Sequence, residues 1–296
     1  MKNADHVWKV HVPAHFFGIS AIVWAAFNPS WLLLCATLFG WTWFSGLGQS
    51  IGFHRYFTHR SFRVNRFWHH VMLWGGTLAG QGSVVFWVAL HRLHHPTSDT
   101  PPDIHSPQNG GFWHAYMGWI FSLDPQRVPL GRATDVIRDP VCRFTHRHYS
   151  TIMRTYWLIL LALALWIEPL RPVVAGFLIA GMWAIHQEAI VNSVCHDRRF
   201  GTAPYAERTS DYSRNIPLLH YLTWGQAYHH THHAWPAAAN FRCDTPHSKD
   251  IGFRIIQLIE QPPKRPHLAD MAAHVEANDT RPDNVANLSE SLTYDI

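Results

Sequence analysis

Four stretches of the chain are apolar over enough length to suit a bilayer: residues 12–27, 31 to about 51, 156–167 and 172 to about 194. A hydrocarbon core of ~30 Å asks for about 20 residues. The first and third stretches reach that length only by extending into aromatic flanks, where Trp and Tyr suit the membrane interface. The links within each pair are very short, Asn28-Pro29-Ser30 and residues 168–171, and nearly every other Lys and Arg lies outside them. Retention of positive charge in the cytoplasm predicts that both links face out, with the termini and the long central loop on the cytoplasmic side. The expected architecture is an all-α integral membrane protein, with four transmembrane helices as two hairpins carrying a cytoplasmic helical cap.

A fifth apolar stretch, residues 67–86, is broken by Gly75, Gly76, Gly80 and Gly82. It lies between polar motifs that must share a compartment, so it is expected to be re-entrant or interfacial rather than a fifth span. Residues 251–260 carry an apolar face at helical spacing and suit the membrane surface. From residue 262 the chain turns polar and rich in Pro, Asn and Asp, as a loose tail does. This gives one domain over residues 1–261 and a tail over 262–296. Gly48 and Gly52 form a small-x-x-x-small pair suited to close helix packing.

Composition sharpens this picture. Charged residues make up 15% of the chain, well under the roughly 25% of soluble domains. A mean hydropathy of −0.11 nevertheless requires a sizeable water-facing part. The net charge of +4 shows no Lys/Arg stripe interleaved with aromatics, so it fits a membrane surface and not a nucleic acid. Cys35, Cys142, Cys195 and Cys243 show no C-x-x-C spacing or disulfide framework, as expected of a reduced, cytoplasm-facing protein. No cleavable leader is expected.

The outlier is histidine, with 24 residues, and metal binding is the usual reason to gather imidazoles. Four motifs concentrate them: His54-Arg55-Tyr56-Phe57-Thr58-His59, His91-Arg92-Leu93-His94-His95, Asn192-Ser193-Val194-Cys195-His196 and His229-His230-Thr231-His232-His233. Residues at i, i+3 and i+4 share a helix face, so each H-x-x-H-H triplet can aim its rings at one point or at two adjacent points. The first pair, five apart, fits a helix end or a bend. Nine imidazoles and an amide exceed what one metal takes and suit two metals at four or five donors each. None of the motif positions is a carboxylate, and neutral nitrogen donors suit iron, copper or zinc, not magnesium or calcium.

In these motifs and their surroundings the chain resembles the membrane fatty-acyl desaturases, the family that includes stearoyl-CoA desaturases. The resemblance covers roughly residues 47–236. It includes Leu47-Gly48, Gly52-Phe53-His54-Arg55, Ser98-Asp99, Gly111-Phe112-Trp113, Gly118-Trp119, Ser213-Arg214-Asn215 and His233-Ala234-Trp235-Pro236. It implies a non-haem di-iron oxygenase. His54, His59, His91, His94, His95, His196, His229, His232 and His233 would be iron ligands, and Asn192 would hold a water beside one iron. The implied reaction is O2-dependent removal of two hydrogens from a saturated acyl chain to leave a cis double bond.

The departures carry information too. Animal acyl-CoA desaturases carry an Arg-Asp pair before the second box that grips coenzyme A; those positions are Ala89 and Leu90 here. Ser122-Leu123-Asp124-Pro125 stands where a basic cluster is expected. Both changes point from acyl-CoA toward acyl-lipid or acyl-carrier-protein substrates. Asp103-Ile104-His105 replaces an Asp-Pro-His, and Gly225-Gln226 a Gly-Glu. Asp99, Asp103, His105 and Gln226 are therefore the candidates for orienting metal-bound rings. His186, Gln187 and Glu188 lie inside the fourth apolar stretch, where polar groups face a cavity or the protein interior.

The chain has no Gly-rich dinucleotide fingerprint, no cysteine cluster for iron–sulfur and no fused haem domain. Electrons would come from a separate ferredoxin or cytochrome with its reductase. Two rival readings stand beside the desaturase: an acyl hydroxylase or acetylenase on the same scaffold, and a membrane metal-binding or transport protein.

Overall fold

The structure is a computed structural model that describes residues 6–244 and 249–261; the expected tail over 262–296 lies outside the described residues. The principal helices are α1 (Val7–Phe27), α2 (Trp31–Thr58), α3 (Arg66–Leu78), α4 (Val84–Thr97), α5 (Tyr149–Trp166), α6 (Glu168–Val194), α7 (His229–Ala234) and α8 (Ile251–Ile259). Among the described residues there is no strand, only the isolated bridges of Thr202 with Asn215 and of Asn215 with Tyr228. Four helices, α1, α2, α5 and α6, are long and apolar enough to cross a membrane. The outer faces of α1, α2 and α5 expose Phe16, Val23, Leu34, Leu158 and Leu165, as lipid-facing helices do, whereas α6 is the most buried of the four.

The helices run further than the apolar stretches suggest. α1 begins before residue 12, α5 before 156, and α2 continues past residue 51 to Thr58. The reason is visible in α2, where Ser45, Gln49, Ser50, His54 and Arg55 are polar yet buried. A hydropathy reading stops at such residues, whereas a helix packed on protein does not. The second half of α2, Thr42–Thr58, is also wound wide, and the His59 N–H donates to the His54 carbonyl five residues back. Such a turn is uncommon and is frequent at functional sites. It is what brings His54 and His59, five apart, to one side.

Small residues let the spans approach. A Cβ on Gly40 of α2 would lie 2.8 Å from the Cβ of Ala180 on α6, and one on Gly176 of α6 would lie 2.7 Å from the Thr37 nitrogen. Gly48 sits against the Gly75–Gly76 backbone of α3, 2.4 Å from where a Cβ would be, so two main chains touch there. Replacing Gly48 with valine must force α2 and α3 apart. Overpacking of this kind costs about 1–3 kcal/mol or more, so a lowered melting temperature of the detergent-solubilised protein is expected.

The Gly-rich stretch is a broken helical pair. α3 ends at Leu78, Gly80 and Gly82 take positive φ (84° and 101°), and the Ser83 side chain caps α4 by accepting the Phe86 N–H. The expectation for α8 is corrected. Its apolar face is not laid on a membrane surface: Phe253, Ile256 and Ile259 are buried in the same core as Ile51, Phe53, Met72 and Val88, while Leu258 points out. The anchor is Asp250, whose side chain caps α8 and pairs with Arg55 of α2, both side chains being fully buried.

Candidate metal centre

Four parts of the chain deliver the nine motif histidines to one place: the wide-wound end of α2 with His54 and His59, the second half of α4, His196 two residues beyond α6, and α7. They fall into two groups. His54, His59, His91, His95 and His232 form one, and His94, His196, His229 and His233 the other, with the candidate ligand nitrogens of each group within 4.8 Å of one another. The groups adjoin, since the rings of His95 and His233 are 4.6 Å apart. The i, i+1 pairs His94/His95 and His232/His233 each send one ring to each group. His230, between His229 and His232 in the last motif, turns away; its Nε2 accepts the Tyr205 N–H and its Nδ1 bonds the Ser213 hydroxyl.

Carboxylates hold three of the four rings of the second group. The Nδ1–H of His196 donates to Asp99 (2.8 Å), that of His94 to Asp103 (3.0 Å) and that of His233 to Asp211 (2.5 Å). His105 is buried beside Asp103, its Nδ1 3.4 Å away, and is not among the four. In the first group the Nδ1–H of His54 donates to the Gln226 Oε1 (2.8 Å), and Trp87 stacks on His91 at 4.8 Å. Burial alone would raise the carboxyls of Asp103 and Asp211. The imidazoles they face outweigh it and hold both well below the usual carboxylate range. Burial, reinforced by neighbouring imidazoles, keeps His91, His95, His229 and His232 neutral far below the ordinary histidine pKa, and neutral imidazole is the metal-binding form.

The donor set asks for a cation. With Nδ1–H committed to Asp99 and Asp211, the Nε2 atoms of His196 and His233 are lone pairs. Both face the Nε2 of His229, at 2.9 and 3.1 Å. One imidazole proton cannot satisfy both, and the Nδ1 atoms of His229 and His232 are buried without a partner. In the other group the His232 Nε2 lies 2.9 Å from that of His54 and 3.0 Å from that of His95. A metal ion at each centre accepts these lone pairs together, so the residues present fit two ions with neutral nitrogen donors.

A cavity of about 450 Å³ opens against this cluster. His54, His91, His94, His229 and Gln226 form its polar end, with the half-buried Asn192 beside them; Phe86, Trp87, Leu90, Ile120 and Ile185 contribute apolar wall. Of the polar residues within α6, Glu188 lines the cavity and accepts from Gln226 (2.6 Å), His186 bonds the Tyr116 hydroxyl (2.8 Å), and Gln187 is buried against α2. Asp211 went unnoticed in the sequence, although it lies two residues before the Ser213-Arg214-Asn215 motif.

The sequence model of the fatty acid desaturase family matches residues 28–250. An sn-1 stearoyl-lipid 9-desaturase of Anabaena variabilis is 34% identical over 253 residues, 85% of this chain and 87% of that protein. The sn-1 stearoyl-lipid 9-desaturase of Synechocystis sp. is 36% identical over 217 residues, 73% of this chain and 63% of its own length. An acyl-CoA 5-desaturase of Anemone leveillei is 32% identical over 219 residues, 73% of this chain and 65% of that protein.

Proposed function

The chain belongs to the fatty acid desaturase family, and on that premise we propose that it is an O2-dependent, two-iron desaturase acting on a saturated acyl chain carried by a glycerolipid. The observation that carries the reading is the gathering of nine imidazoles into two adjoining groups, with His54, His91, His94 and His229 reaching the wall of one largely apolar cavity. The five-histidine group would hold one iron and the four-histidine group the other, with Asn192 placing a water beside the second. Bound there, the pair would supply with O2 the oxidising power that zinc lacks.

The protein's own contribution is positional. Asp99, Asp103, Asp211 and Gln226 fix ring orientation and tautomer. The cavity wall lays two neighbouring methylenes beside the cluster and keeps bulk water out. For the carrier, Ala89 is wholly buried in the core and Leu90 lines the cavity. Neither offers a charge to a coenzyme A head, and relatives named for stearoyl-lipid substrates and position 9 favour a lipid-borne chain desaturated there. The four spans would form two hairpins, with the metal centre and both termini cytoplasmic and within reach of a ferredoxin or a cytochrome.

Expression in a host lacking its own desaturase, with His229→Ala alongside, tests the proposal. Mass spectrometry with double-bond localisation is expected to find new unsaturated chains in glycerolipids with the wild type and none with the variant. An oxygenated chain would move the reading to a hydroxylase. Unsaturation confined to the coenzyme A pool would overturn the carrier.

A further inference from the structure

In the four-histidine group, the rings of His94, His196 and His233 are oriented by carboxylates, which can only accept. His54 differs: its partner is an amide, and an amide can present either an oxygen or an NH2 group. The two alternatives have opposite consequences. With the Gln226 oxygen toward it, His54 carries its proton on Nδ1 and offers Nε2 as a lone pair. With the NH2 toward it, Nδ1 must be the lone pair and the proton moves to Nε2, the atom that faces His232 at 2.9 Å and would face a metal. A second contact removes the ambiguity. The Gln226 Nε2 donates to the Glu188 Oε1 at 2.6 Å, while the Gln226 Oε1 accepts from His54 at 2.8 Å. Glu188, Gln226 and His54 are all buried (8%, 1% and 1% exposed), so each finds its partner within the protein.

We propose that Glu188, in the fourth span, is a positioning residue for His54: acting through Gln226, it locks the tautomer in which His54 presents Nε2 to a metal. The proposal rests on the reading of the nine histidines as metal donors. Its chemistry requires only that Glu188 accept. A methionine at 188 keeps the bulk and removes the acceptor, leaving the buried Gln226 NH2 unsatisfied and free to turn toward His54. A glutamate at 226 has the opposite logic. Beside Glu188 it places two carboxylates in hydrogen-bond contact, where they repel. Beside a methionine it accepts from His54 directly and needs no help.

The test uses the full-length protein in detergent, loaded with isotopically enriched iron. Release to a ferrous chelator is followed by Mössbauer spectroscopy, so that the two sites are read separately. Glu188→Met and Gln226→Glu are each expected to speed release from the five-histidine site by roughly 10–100-fold, the usual effect of losing a group that orients a ligand. The double variant is expected to return to within a few-fold of the wild type, and the four-histidine site should hold its iron throughout. Unchanged release from Glu188→Met overturns the proposal, and so does a double variant no better than its singles. Equal loss from both sites, which a general folding defect would produce, overturns it as well. A wild type that takes up no iron overturns the metal reading itself.

Discussion

Replacing His232 with alanine is expected to abolish product formation and to remove roughly half of the bound metal. His232 is the hub of the five-histidine group: its Nε2 lies 2.9 Å from that of His54 and 3.0 Å from that of His95, and it is fully buried. Its loss leaves four candidate donors around a centre now too wide. His233, its chain neighbour, serves the other group and is held independently by Asp211, so the second ion stays. Metal analysis of the purified variant and acyl-chain profiles from the same cells check the two halves of this expectation together. A variant that keeps both ions, or that still forms product, would show that the five-histidine group is not a site.

The second large effect concerns stability. Asp250→Ala is expected to cost about 3–5 kcal/mol, the range for removing one partner of a buried ion pair. Both side chains are wholly inaccessible, and the Arg55 Nη2 donates to the two Asp250 oxygens at 3.1 and 3.0 Å. The variant leaves the Arg55 charge stranded, its guanidinium still lying 3.9 Å from the Phe241 ring. It also strips acceptors from the Phe241 and Phe253 N–H groups. Replacing both partners by apolar residues of similar size, Arg55→Met with Asp250→Leu, is expected to recover much of the loss, because no charge is then buried. Chemical denaturation in a mild detergent orders the three proteins. Since Arg55 follows His54 in the chain, Asp250→Ala is also expected to weaken metal retention at the five-histidine group.

The grouping of the motif histidines was legible because metal binding imposes short spacings that survive in one dimension. H-x-x-H-H on a helix needs no knowledge of the fold. Asp99 and Asp103 were legible for a related reason, lying a few residues beyond the motif that contains His94. The partners that meet only through the fold were not. Asp211 meets His233 across 22 residues, Glu188 meets Gln226 across 38, and Asp250 meets Arg55 across 195. No local pattern distinguishes Asp211 and Asp250 from solvated acids, and the setting of Glu188 in an apolar stretch marks it as interior without naming its partner. Helix limits were misjudged for a different reason: the buried polar half of α2 reads as water-facing, although protein surrounds it. The apolar face of α8 was legible as a face, and what it covers was not.

The separation between His54 and the residues that complete its group has a consequence in time. Its contacts with Gln226 and His232 close loops of 172 and 178 residues. Contacts of such range are the slow ones in folding, because a long stretch of chain must be ordered before they form. No emerging portion of the polypeptide that stops short of α7 contains either complete group. Metal capture is therefore expected to be a late event of biogenesis, and a chain truncated before residue 229, which lacks His229, His232 and His233, should retain no metal at either group.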